Sequence, residues 1–176
     1  MDTVDKAMRS RMMAAIPSKD TMPEVELRRH LFRLGYRYRL HQRSLPGKPD
    51  MIFAKYRAVV FVNGCFWHQH GCRAVAVPST RRAWWRKKLD GNRKRDMAAL
   101  KALRETGWRT VVVWECSFGR SILRYSDAAD RVAGRVATFL TSKRKELEIT
   151  GDKRGQPRTR GLVTQHRAFQ KAAHGE

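Results

Sequence analysis

Apolar positions along the chain recur with two periods. From Thr21 the period is helical: Leu27, Leu31 and Leu34 recur every three or four residues and Gly35 closes the run. Thr21 stands at the cap position, with Glu24 three residues on as in a capping box. Tyr36, Tyr38 and Leu40 then alternate with Arg37, Arg39 and His41, the period of a strand with one wet face. After the break SLPGKPD, Met51 to Ala54 and Arg57 to Val62 predict a hairpin turned at Lys55-Tyr56, with a second arm apolar enough for a central strand. Ser79 to Arg95 predicts a helix too basic to be wholly buried. Asp96 to Thr106 continues it, with Met97, Leu100 and Leu103 on one side. Trp108 to Glu115 predicts a second apolar strand with Cys116 just past its end. Asp127 then caps a helix in which Val132, Val136, Phe139 and Leu140 repeat. Helix, three strands, helix, strand, helix is the order of an α/β sandwich around a mixed sheet, and strand ends place Asp50, Asn63 and Cys116 where sites gather.

Length and charge narrow this picture. At 176 residues the chain suits one domain with short tails. Lys and Arg number 38 against 16 Asp and Glu, a formal charge of +22 that self-repels unless a polyanion balances it, so nucleic acid is the expected partner. A membrane is not: no run of about 18 apolar residues is present and the basic residues are not confined to one amphipathic helix. Met1 to Pro17 lacks the apolar core of a signal peptide, so a cytoplasmic protein is expected. The expected organisation is a DNA-contacting arm over 1–17, a catalytic domain over 18–142 and a basic, largely disordered tail over 143–176.

The chemistry concentrates in Ala58 to Cys72, AVVFVNGCFWHQHGC. Three cysteines in all is an odd number, which fits reduced or metal-bound thiols better than a disulfide framework. Cys65, Cys72 and Cys116 with either His68 or His70 would complete a tetrahedral zinc site, leaving the other histidine free to act. In PGKPD, Pro46, Gly47 and Pro49 make a stiff turn that presents Asp50 at the start of a strand. There its carboxylate could hold Mg²⁺ against a phosphate, with His68 as base for an attacking water. Phe66, Trp67 and Trp85 lie in or beside basic segments, as side chains that wedge between base pairs do, and of Trp84 and Trp85 the second is expected to face outward.

Read together, R-S-x-M-M-x-A-I, PGKPD, FVNGCFWH, Cys72, VPSTR followed by Trp85, and GWRTVVVWEC resemble the very short patch repair endonuclease (Vsr) family from about Met8 to Cys116. The resemblance implies a variant of the restriction-endonuclease-like PD-(D/E)XK fold, a mixed sheet flanked by helices with a structural Zn²⁺ site. It also implies a Mg²⁺-dependent nick 5′ of the thymine in a T:G mismatch left by deamination of 5-methylcytosine. Carried over by position, Asp50 holds Mg²⁺, His68 is the general base and Glu24 assists. Cys65, His70, Cys72 and Cys116 bind zinc. Phe66, Trp67 and Trp85 intercalate, and Met13 reaches the other groove. Arg81 and Lys87, in the basic segment Ser79 to Arg95, are expected as further DNA contacts. Asn63 stands where members often carry His and, unable to titrate, can only hydrogen-bond or orient water. The implied protein is a bacterial, nucleoid-associated monomer acting on duplex DNA, with mismatch-repair proteins as candidate helpers. Two other readings use the same residues: a zinc-stabilised DNA-binding protein without catalysis, and a nuclease that cuts both strands at an intact recognition site.

Overall fold

The run Ala58–Asn63 forms β2, the strand from which the site is built; a computed structural model describes residues 5, 8, 11, 19–40, 42, 44–72, 76–119, 125–151 and 157–160. β1 (Met51–Phe53) pairs antiparallel with β2, Met51 opposite Val60, and a single 3₁₀ turn over Ala54–Tyr56 joins them. β3 (Arg109–Trp114) lies parallel to β2 with Asn63 opposite Trp114. β4 (Glu146–Gly151) lies parallel to β3, and β5 (Pro157–Arg160) closes the order β1-β2-β3-β4-β5 antiparallel to β4. The sheet is mixed, as the apolar pattern predicts.

Alternation decides what each face buries. Val111 and Val113 of β3, with Leu147 and Ile149 of β4, face α1 (Met22–Arg33), through Leu27 and Leu31, and α4 (Tyr125–Thr141), through Val132, Val136, Phe139 and Leu140. Val112 and Trp114 face the other way, toward α3 (Arg82–Glu105), whose Leu103 packs with Ile52 and Val59. Each such side chain taken out of water stabilises the fold by about 1.5–3 kcal/mol. Arg109 fixes the end of α4, its guanidinium donating to the carbonyls of Leu140 (3.0 Å), Ser142 (2.8 Å) and Arg144 (2.8 Å), so the chain leaves the helix aimed at β4.

Four expectations change. The tail does not begin at Lys143, because Glu146–Gly151 is an inner strand; Glu148, which composition assigns to solvent, is 3% exposed and accepts the Trp114 indole N–H at 2.7 Å. The expected strand at Tyr36 to Leu40 is one bridge, Arg39 opposite Ile52, with Tyr36 and Tyr38 packed on the core. Thr21 and Glu24 do not form a capping box: the Thr21 hydroxyl donates to the Glu24 carboxylate instead of accepting a backbone N–H. Trp85 faces inward at 9% exposure and Trp84 outward at 44%, because Trp85 shares its helical stripe with Leu89 and Leu103. Met13 and the rest of the arm, apart from residues 5, 8 and 11, lie outside the described residues, as does 161–176.

Candidate active site and metal centre

At Gly64 β2 passes into α2 (Cys65–His68), a single turn ended by Gln69 in the left-handed region (φ 51°). So short a turn sends successive side chains in different directions. Cys65 points down into the sheet, Phe66 and Trp67 meet α3, and His68 turns toward Asp96.

On one side lie Cys65, His70, Cys72 and Cys116, with ligand atoms all within 4.8 Å of one another. His70 Nε2 is 3.2 Å from Cys65 Sγ and 3.4 Å from Cys116 Sγ; the ring is held flat by stacking on Trp114, centroids 4.1 Å apart. Cys116 Sγ accepts the Gly151 N–H at 3.2 Å and Cys65 Sγ accepts the Cys116 N–H at 3.4 Å. The hydrogen bond shared between the two sulfurs, ahead of burial, pushes the Cys65 thiol up; the same bond, with those from His70 and Gly151, pulls the Cys116 thiol down. Thiolates and an imidazole converging on one point suit a metal ion.

On the other side is Asp50. The turn before it packs closely on α3: Gly47 has φ 74°, and a Cβ there would meet Ala99 Cβ at 2.8 Å. The Asp50 N–H donates to the Val60 carbonyl (3.0 Å) and its Oδ2 accepts the Val62 N–H (2.7 Å), which pins the carboxylate to the end of β2. Burial pushes its pKa up to about 6. The Val62 N–H and the charges of Arg28 and His68 oppose that rise and Glu24 adds to it, so these groups share one electrostatic neighbourhood. Glu24 is 5% exposed and holds three donors: Oε1 accepts from Thr21 (2.7 Å), and Oε2 from the Asp20 N–H (3.1 Å) and Arg28 Nη2 (3.0 Å). Arg28 also pairs with Asp20. His68 Nδ1 lies 2.6 Å from Asp96 Oδ2. A carboxylate oxygen accepts, so Nδ1 is assigned as the donor in this contact and Nε2 is the ring nitrogen left for other chemistry.

An aromatic cluster joins α2 to α3. Trp85 meets Phe66 (5.3 Å between centroids), Trp67 (6.1 Å) and Trp84 (4.9 Å), and Asn92 holds the Trp67 carbonyl at 3.1 Å. Phe66 and Trp67 are half-buried, and Arg81 and Lys87 are exposed at the start of α3.

Residues 1–74 match the family model for DNA mismatch endonuclease Vsr. The chain is 42% identical over 132 residues to the DNA mismatch endonuclease Vsr of Escherichia coli, covering 74% of this chain and 85% of that protein. It is 45% identical over 115 residues to the type II nicking enzyme V.XorIIP of Xanthomonas oryzae (65% and 85% covered), and 40% identical over 115 residues to V.NmeAIP of Neisseria meningitidis (65% and 82%). The chain belongs to the Vsr family. It is accordingly a DNA endonuclease, and no helix among its described residues is long and apolar enough to cross a membrane.

For this Vsr member, the structure brings together three sets of residues singled out in the sequence: Asp50, Glu24 and His68; the four Cys/His residues; and Phe66, Trp67 and Trp85. Asn63 ends β2 opposite Trp114, one residue past the Val62 N–H that holds Asp50. Sequence reading missed Asp96, Arg28 and Glu148. A signal for Asp96 was present: it falls in helical phase with Trp85, Leu89, Leu100 and Leu103, the stripe that faces the sheet, where an acid needs a partner.

Proposed function

We propose that this Vsr endonuclease nicks one strand of duplex DNA on the 5′ side of the thymine in a T:G mismatch, by Mg²⁺-dependent hydrolysis. The observation that carries the reading is the His68–Asp96 contact in the electrostatic neighbourhood of Asp50, a base and its orienting acid with an ionisable carboxylate, while aromatic rings join α2 to the strongly basic α3. His68 Nε2 takes the proton of the attacking water while Nδ1–H donates to Asp96, which stabilises the imidazolium that forms. Asp50 fits the Mg²⁺ role: its oxygens are hard donors, and among the described residues no hydrogen bond engages Oδ1. Bound there, Mg²⁺ would neutralise charge building on the scissile phosphate. Glu24, with three donors on it, acts by fixing the negative surroundings of Asp50 more readily than by moving a proton. Phe66 and Trp67, backed by Trp85, are the wedge that enters beside the mismatch, trading a few kcal/mol of unstacking for contact with a kinked duplex.

Zn²⁺ suits the Cys65, His70, Cys72 and Cys116 donors, which would hold it as a closed, structural site that ties the loop after α2 to the ends of β3 and β4. The fold is read as a PD-(D/E)XK variant. Pro49-Asp50 supplies the first half of the motif, and β2 ends Phe61-Val62-Asn63 with no acid-x-Lys.

The test is incubation of T:G and fully paired duplexes with Mg²⁺ or EDTA. One nick in the thymine strand, dependent on both mismatch and Mg²⁺, is expected; Asp50→Ala should abolish it and leave binding within a few fold. Undiminished nicking by Asp50→Ala overturns the assignment.

A further inference from the structure

The residue order on α3 puts an indole where a solvated helix face would otherwise carry a polar residue. Trp84 is the exposed tryptophan of the aromatic cluster, at 44%, while Trp85 beneath it is 9% exposed. Its ring is not left to swing. It packs edge-on against Trp85 at 4.9 Å, with the Lys88 ammonium 5.0 Å from its centroid on α3 and the Arg81 guanidinium at the same distance at the helix start. Lys88 stands 5.3 Å from Trp67 and 5.5 Å from Trp85 as well, so one cation ties the outward ring to two inner ones. Arg82, Arg86 and Lys87 are exposed on the same turns. The indole is packed by its edge and 44% exposed, so a base can take its π-face as the two cations over the ring turn to the phosphates on either side.

We propose that Trp84 is a further DNA-binding residue, its indole stacking on a nucleobase displaced at the lesion, with Trp85 as the buried platform that sets its plane. The inference deepens the mismatch reading above and rests on it. Trp84 extends the wedge by one ring toward solvent and makes the outermost base contact, flanked by the Arg81 and Lys88 charges that meet the backbone. Burial of α3 runs along Trp85, Leu89 and Leu103, a stripe that Trp84 lies outside.

The experiment measures binding of T:G and fully paired duplexes, with Mg²⁺ withheld, to wild type, Trp84→Ala and Trp84→Phe at several salt concentrations. Melting temperature and metal content serve as controls of folding. Trp84→Ala should weaken T:G binding roughly 5- to 100-fold, the span that loss of one stacked base produces. Paired-duplex binding and the salt slope should stay as in wild type, and Trp84→Phe should restore most of the loss. Equal weakening on both duplexes, or none on either, overturns the proposal. If wild type shows no preference for the T:G duplex, the mismatch reading fails instead. The stacking role of Trp84 is then decided on single-stranded DNA, where an unweakened Trp84→Ala overturns it.

Discussion

The two sides of α2 are assembled in opposite ways. On the thiol side, Cys65, His70 and Cys72 come from eight consecutive residues, and Cys116 and Gly151 close the group from the ends of two neighbouring strands. On the carboxylate side, Glu24 and Arg28 come from α1, Asp50 from the turn before β1, His68 from α2 and Asp96 from the middle of α3. A bound metal can draw the first set together, because binding free energy becomes folding free energy. In the second set only Asp50 is read as a direct metal ligand, so a metal cannot gather the other members. Acids brought near one another repel, so this side depends on the fold holding Glu24 with three donors and setting Arg28 close by.

That contrast is tested most severely by removing a thiol. Cys116→Ser should lose the metal and with it stabilisation on the scale of about 10 kcal/mol, unfolding the chain at ambient temperature; metal content and thermal melting report it. A variant that melts as wild type would show that the thiol side is held by packing alone. Asp96→Asn should do the reverse, leaving metal content and melting close to wild type while nicking falls about 10²- to 10⁴-fold, the span of a misoriented general base. Loss of fold in Asp96→Asn would mean that His68–Asp96 is a structural pair.

The same contrast explains what was legible in the sequence. The thiol side is local and was read from spacing except for its fourth ligand: spacing left His68 and His70 open, the family resemblance implied His70, and in the structure His70 Nε2 lies against two sulfurs while His68 lies against Asp96. Both apolar strands, the hairpin that joins β1 to β2, and the three long helices were likewise visible in period. The partners on the carboxylate side were not, because a helix stripe of Trp85, Leu89, Asp96, Leu100 and Leu103 reads as amphipathic until its one acid is matched to a residue 28 positions earlier. β4 was missed for a related reason. Its Leu147 and Ile149 are spaced by Glu148, and only the Trp114 indole, 34 residues away, makes that glutamate a core residue.

β4 supplies the next test, since it joins the thiol side through Gly151. A Cβ at that position would meet the Cys116 carbonyl oxygen at 2.1 Å and its carbon at 2.7 Å, and both are backbone atoms. Gly151→Ala must therefore push β4 from the turn that carries Cys116, costing about 1–3 kcal/mol as an overpacked site does and weakening metal retention against a chelator. Undisturbed melting with undisturbed metal retention would mean that the end of β4 is not part of the thiol side.

The mildest perturbation separates the two sides by pH. The pKa of Asp50 is raised from its ordinary 3.8 to about 6 by burial. The carboxylate form is the one that can take a divalent cation, so at fixed Mg²⁺ well below saturation the rate should fall as pH drops through 6, about tenfold between pH 7.5 and 5. Stability runs the other way for this residue. A raised carboxyl pKa favours the protonated fold, so its contribution is full below about 4 and is lost as pH rises through 6. Asp50→Asn removes that term, and the variant without Mg²⁺ should gain melting temperature over wild type at pH 7.5 and lose the gain at pH 4. Saturating Mg²⁺ compensates the buried charge and should shift the wild-type rate profile to lower pH. If the midpoint does not move with Mg²⁺ concentration, the group titrating near 6 is not Asp50.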